Sequence, residues 1–215
     1  MEPSLAAADA LQRLIEGNQR FRTNVRSLDS LLTHTRRAEF AASGQRPFAV
    51  VLGCSDSRVP AETVFDQGLG DLFVIRVAGN IVAPSQVGSV EFACARFGTR
   101  LVVVLGHSGC GVIQATVEAI EGKLGPESRS IRSIVDRVRP AVESLIAVMP
   151  SSDHERMMKE AVRANVRASV GHLRQGSELL ERLINEEGLV VVGAEYALDS
   201  GAVEFFESPP AEAAL

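Results

Sequence analysis

Phe48-Ala49-Val50-Val51-Leu52-Gly53 runs directly into Cys54-Ser55-Asp56-Ser57-Arg58, and Leu101-Val102-Val103-Val104-Leu105-Gly106 runs directly into His107-Ser108-Gly109-Cys110-Gly111. Both aliphatic runs are short and continuous rather than alternating, the pattern of a strand buried on both faces of a parallel sheet. In an open parallel sheet, ligands gather beyond the carboxyl ends of the strands. The two blocks that follow the runs are therefore predicted to face one crevice.

Working outward, Leu72 to Val77 and Leu189 to Gly193 read as two more strands of the same kind. Between the strands lie helical signals: Val90, Ala93, Cys94 and Phe97 closed by Gly98, then Ile113, Val117 and Ile120 closed by Gly122. Strands alternating with helices indicate an α/β fold. Ile131 to Val138 predicts another helix, punctuated by Gly125-Pro126 before it and Met149-Pro150-Ser151-Ser152 after it. Val162, Val166, Val170 and Leu173 share a helical register, and a second run through Leu180, Leu183 and Ile184 follows Gly176-Ser177. Asp199-Ser200-Gly201 reads as a turn that returns Ala202 to Phe206 as an antiparallel strand. The expectation is a mixed β-sheet with a parallel four-stranded core and a C-terminal antiparallel edge strand, flanked by helices. At the N-terminus, Leu11, Leu14, Ile15 and Phe21 form the apolar stripe of a helix that Ser4 or Asp9 would cap, an arm that must dock on something.

A chain of 215 residues with 46% hydrophobic content suits one domain, residues 1–215, with residues 1–40 as its helical arm. The net charge of −5 offers no basic field, and the basic residues are dispersed, so no nucleic-acid partner is expected. An odd count of 3 cysteines argues for reduced thiols rather than a disulfide framework. The opening Met1-Glu2-Pro3-Ser4 lacks a secretory pattern, and no apolar stretch nears the roughly 20 residues of a membrane span. A soluble cytoplasmic protein with no membrane partner is expected.

Cys54, His107 and Cys110 together offer a zinc ion three ligands. A site with only three protein ligands keeps a fourth position for water or substrate, which separates a catalytic from a structural zinc. Cys110 stands where the next helix begins, and a helix N-terminus favours a thiolate. Taken singly, Cys54 and Cys110 would read as small core residues and His107 as a cap. Their recurrence at equivalent strand ends, with an acid and a base nearby, favours the metal, and a closed structural zinc would want a fourth Cys or His. Cys94 belongs to an apolar helix stripe, and His34, His154 and His172 lack ligand spacing. Asp56 and Arg58 would elsewhere be a surface ion pair worth about 0–1 kcal/mol. Beside Cys54, a carboxylate held by guanidinium can orient whatever binds the metal, or take the open position itself.

These blocks, with Phe65-Asp66-Gln67-Gly68 and Arg76-Val77-Ala78-Gly79-Asn80 between them, closely resemble the β-class carbonic anhydrases over nearly the whole chain. The resemblance implies Zn2+ held by Cys54, His107 and Cys110, with Asp56 and Arg58 as a catalytic dyad and Asp56 as fourth ligand in a closed state. It implies reversible hydration of carbon dioxide to bicarbonate and a proton by zinc-bound hydroxide. It also implies a substrate cleft in which Gln45 acts across a dimer interface, Phe73 and Phe92 form apolar walls and the Gly109 backbone faces substrate. The N-terminal arms then make a homodimer, often paired into a homotetramer. Some members have a bicarbonate pocket built partly from a tryptophan three residues before the first cysteine. Val51 stands there in a chain with no tryptophan, although Arg76 matches the pocket's arginine.

Three other functions compete with this one. The same metal could hydrolyse a related heterocumulene such as carbon disulfide or carbonyl sulfide. A cysteine phosphatase using Cys54 and Arg58 is disfavoured, because only three residues separate them and a phosphate cradle needs a longer loop. A zinc-binding bicarbonate sensor would need neither Asp56 nor Arg58.

Overall fold

The first aliphatic run forms strand β1 (Ala49–Gly53), all of it buried. This computed structural model describes residues 5–27, 33–123, 128–149 and 153–206. With β1, strands β2 (Leu72–Arg76), β3 (Leu101–His107), β4 (Val190–Tyr196) and β5 (Val203–Phe206) make one sheet in the order β2-β1-β3-β4-β5. β1 runs parallel to β2 and β3, β3 parallel to β4, and β5 antiparallel to β4. The parallel core and antiparallel edge are those expected. Two strands run longer than the aliphatic pattern, so that His107 ends β3 and Tyr196 ends β4.

The continuous burial of β1 and β3 comes from helices on both faces. Ala49, Val51, Val103 and Leu105 face helix α1 (Ala7–Arg22) and the short α3 (Ala61–Val64) with Phe65. Val50, Leu52, Val102 and Val104 face α4 (Pro84–Phe97), α7 (His154–Gln175) and α8 (Glu178–Glu186). A third cluster joins α5 (Gly111–Ile120), α6 (Arg129–Ile146) and α7, and includes Cys54 and Cys110. Local signals agree with these boundaries: Pro84 opens α4, Gly98 closes it at φ +69°, and Asp153 and Ser177 cap α7 and α8 by accepting from Arg156 and Leu180 amides. The Gly125-Pro126 and Pro150-to-Ser152 punctuation lies outside the described residues.

The arm is seated on its own chain. Leu14 is fully buried, while the neighbouring Ile15, about 100° further round the helix, is 42% exposed and so does not belong to the buried stripe. α1 begins after Ala6 without a side-chain cap; Ser4 lies outside the described residues, and Asp9 sits inside the first turn, where it complements the helix dipole. Asn18 donates to the carbonyls of Val64 and Gly201 and accepts from the Val203 amide, tying α1 to both α3 and the terminal hairpin. Arg20 pairs with the fully buried carboxylate of Asp66 at 2.6 Å. A second helix, α2 (Thr33–Ser43), has no apolar periodicity that would have announced it.

Strand order reverses at β1. The chain passes from β1 to β2 on one side, then crosses back through α4 to place β3 on the other. The carboxyl ends of β1 and β3 therefore border the crevice in which α/β sheets collect ligands. No described helix is long and apolar enough to cross a membrane.

Candidate metal centre

Cys54 leaves the end of β1, His107 is the last residue of β3, and Cys110 is the residue on which α5 begins. Their ligand atoms all lie within 4.8 Å of one another, and all three residues are buried. Ser108 anchors the loop between the last two: its amide donates to the Tyr196 carbonyl, and its hydroxyl accepts from the Leu198 amide.

The histidine is already in the form a metal needs. Its Nδ1 lies 2.9 Å from the Ser108 carbonyl, which can only accept, so Nδ1 carries the proton and Nε2 offers a lone pair. That Nε2 is buried and has no hydrogen-bond partner. An orphaned buried nitrogen is costly, at about 1–3 kcal/mol, unless something else binds it. The cysteines point the same way. Cys54 is pulled below the ordinary thiol range, first by a hydrogen bond from Cys110, then by His107 and the Gly79 amide. Cys110 is pushed up by the bond it gives to Cys54 and by burial, which outweigh the Val112 and Ile113 amides at the start of α5. The amides at the helix terminus thus act in the expected direction on Cys110. Burial opposes a proton on His107, but the neighbouring thiolate raises its pKa all the same. Two sulfurs and an imidazole crowded in this way fit a divalent zinc.

Asp56 and Arg58 form the expected pair, and it is bidentate. Arg58 Nε donates to Asp56 Oδ1 at 2.9 Å and Nη2 to Oδ2 at 2.6 Å, while the Arg58 amide also donates to Oδ1. Arg58 holds the Asp56 carboxyl well below the usual carboxylate range. Asp56 Oδ2 lies 3.9 Å from His107 Nε2, so the pair borders the ligands directly. Arg58 also reaches the Gly109 carbonyl at 3.3 Å, which places Gly109 beside it.

The other residues expected in the cleft lie elsewhere in this chain. Phe73 pairs in register with Val50, four residues before Cys54, and stacks with Phe92 and Phe97 at the β2 edge; Phe92 is 53% exposed. Gln45 lines a separate surface hollow with Arg37, Phe40 and Glu62. Cys94 is fully buried in the core, where burial pushes its thiol up to about 12. His154 and His172 are exposed, while the His34 side chain is outside the described set.

Two supports were not apparent from the sequence. Arg76 donates to the carbonyl of Cys54 at 3.0 Å and to that of Asp56 at 2.5 Å, gripping the loop on both sides of Ser55. Val51 is fully buried in the core. The backbone amide of Gly79 donates to Cys54 Sγ at 3.3 Å.

Comparison with known proteins agrees with this centre. A family model described as carbonic anhydrase matches residues 49–203. Carbonic anhydrase 2 of Mycobacterium tuberculosis is 37% identical over 199 residues, covering 93% of this chain and 92% of that protein. The carbonic anhydrase of Mycolicibacterium smegmatis is 36% identical over 202 residues, covering 94% of each. Among solved structures, the β-carbonic anhydrase CafA of Aspergillus fumigatus superposes with a TM-score of 0.73 at 25% identity, covering 96% of this chain and 93% of that one. A tetrameric β-carbonic anhydrase of Sordaria macrospora gives 0.70 at 25% identity, covering 81% and 87%. Fold, ligand set and relatives agree, and the chain belongs to the β-class carbonic anhydrases.

Proposed function

We propose that this chain catalyses the reversible hydration of carbon dioxide to bicarbonate and a proton, at a zinc centre held by Cys54, His107 and Cys110. The observation that carries the reading is the buried, unpartnered Nε2 of His107, set between two cysteines and 3.9 Å from a carboxylate. Zinc bound there supplies a Lewis acid that makes a water nucleophilic near neutral pH. The residues do the rest. Ser108 fixes the His107 tautomer so that its Nε2 lone pair is free for the metal, and Arg58 keeps Asp56 ionised, so that the carboxylate can accept a hydrogen bond from a group at the site and orient it. Were Arg58 to release Asp56, the carboxylate would be free to serve as a fourth ligand to the metal. Gly109 presents its backbone to substrate beside Arg58.

Gln45 completes the cleft from a second copy of the chain, and Phe73 and Phe92 form its apolar walls. The aromatic edge around the exposed Phe92 supports a homodimer that pairs into a tetramer. The expected setting is the cytoplasm. Stopped-flow carbon dioxide hydration, run beside a metal assay on the purified protein, tests the proposal. One zinc per chain with turnover at alkaline pH is expected; bound zinc without turnover would instead mark a sensor.

A further inference from the structure

The amide that donates to Cys54 Sγ belongs to Gly79, inside the 3-10 turn Ala78–Asn80. The turn has one backbone hydrogen bond of its own, from the Asn80 amide to the Val77 carbonyl at 3.0 Å. Gly79 lies at φ +70°, and Asn80 at φ +42°, in the left-handed region that non-glycine residues adopt at a cost. Two side chains of α7, one helical turn apart on one face, brace it. Asn165 Nδ2 donates to the Gly79 carbonyl at 2.8 Å, and Ser169 Oγ donates to the Asn80 carbonyl at 3.1 Å. Each is only 3% exposed. From the opposite side Val112 closes in, for a Cβ on Gly79 would lie 2.7 Å from its Cγ1. α7 approaches this closely because two sheet residues lack side chains beneath Val166. A Cβ on Gly106 or Gly193 would sit 2.6 or 2.9 Å from a Val166 methyl.

We infer that Asn165 and Ser169 are positioning residues of the metal centre: by pinning the two carbonyls that follow the Gly79 amide, they aim that amide at the Cys54 sulfur. The inference rests on the zinc reading above. A hydrogen bond to a ligating thiolate draws electron density from the sulfur, so the metal receives less charge and stays a stronger Lewis acid. Neither side chain touches a ligand or substrate; both act through one peptide amide. Were they merely satisfying buried carbonyls, their loss would lower stability and leave the metal's electronic environment unchanged.

Cobalt(II) separates the two roles, because its sulfur-to-metal charge-transfer band reports the thiolate directly. The full chain and its Asn165→Ala, Ser169→Ala and Ser169→Thr variants are loaded with cobalt, and zinc affinity is measured by chelator competition. Asn165 and Ser169 line a cavity of about 660 Å3 with Ile81 and Pro140, so truncation opens into existing space. Both alanine variants should shift the band to longer wavelength and weaken zinc binding by roughly 10–100-fold. Ser169→Thr, which keeps the hydroxyl, should return both towards the unmodified protein. Folded alanine variants with an unshifted band and unchanged zinc affinity would overturn the inference. If Asn165→Ala does not fold, Ser169→Ala decides alone. An unmodified protein that binds neither metal would overturn the zinc reading as well, a result distinct from metal binding that the variants leave unchanged.

Discussion

Replacing Gly17 with alanine sets local preference against tertiary contact. In a helix interior the exchange is worth about 1 kcal/mol in favour of alanine. Here, however, a Cβ at position 17 would lie 1.8 Å from the Phe65 carbonyl oxygen, where ordinary contact begins at 3.4 Å. The helix must retreat by about 1.6 Å, the difference between those distances. A shift of that size breaks the three hydrogen bonds of Asn18, at about 1 kcal/mol each. It also loosens Leu14, whose full burial contributes about 2 kcal/mol. Set against the helical gain, a net destabilisation of roughly 4 kcal/mol remains. For a chain of this size that corresponds to a melting temperature lower by roughly 8–16 °C. Calorimetry reads the melting shift, and hydrogen exchange across residues 7–22 reads the loss of docking. A Gly17→Ala protein that melts at or above the unmodified temperature would refute the seating of α1 on its own chain.

Arg58→Ala removes the bidentate partner of Asp56, and the carboxylate should then enter the zinc coordination sphere as an added oxygen donor in X-ray absorption. A sphere unchanged from acid to alkaline pH would count against the gate. Because the fold lowers the Asp56 pKa, the pair's stabilisation is fully present above the unfolded carboxylate value of about 3.9 and fades as pH falls towards the folded value. The stability difference between the unmodified protein and Arg58→Ala should therefore shrink below about pH 4; a constant difference would oppose this. Two thiolates give zinc more charge than histidines do, so the hydration rate should climb towards alkaline pH, and a flat profile would contradict the ligand set. Arg76→Ala should lower kcat by roughly 10–100-fold by freeing the Cys54–Asp56 loop. Arg76→Lys should not rescue it, since a single ammonium cannot reproduce the planar fork that spans both carbonyls. Unchanged kcat in either variant would leave Arg76 with no positioning role.

What was readable beforehand followed from side-chain chemistry arranged along the chain. The aliphatic runs ending at Gly53 and Gly106 announced buried parallel strands, and the residues after them announced ligands. Gly98 and Ser177 marked helix ends through their own backbone and hydroxyl preferences. What stayed hidden depended on backbone groups and distant partners. The Gly79 amide carries no signature of its role, and its brace comes from Asn165, 86 residues away, and Ser169, 89 residues from Asn80. Leu14 and Ile15 point about 100° apart on the helix, and only the packed structure shows that Leu14 is the one that faces this chain's core. Gly17 carries no sequence signal of its role, because the Phe65 carbonyl that requires it is distant in the chain.

The depth of Cys94 makes the metal centre easier to observe. With that thiol fully buried and pushed up to about 12, it is silent to alkylating reagents at ordinary pH. The other two cysteines are the proposed metal ligands, and their sulfurs lie together at one site. Thiol modification of the folded protein should thus report on the proposed metal centre alone, and protection from the reagent by added zinc would measure how tightly the metal is held, with no engineered label.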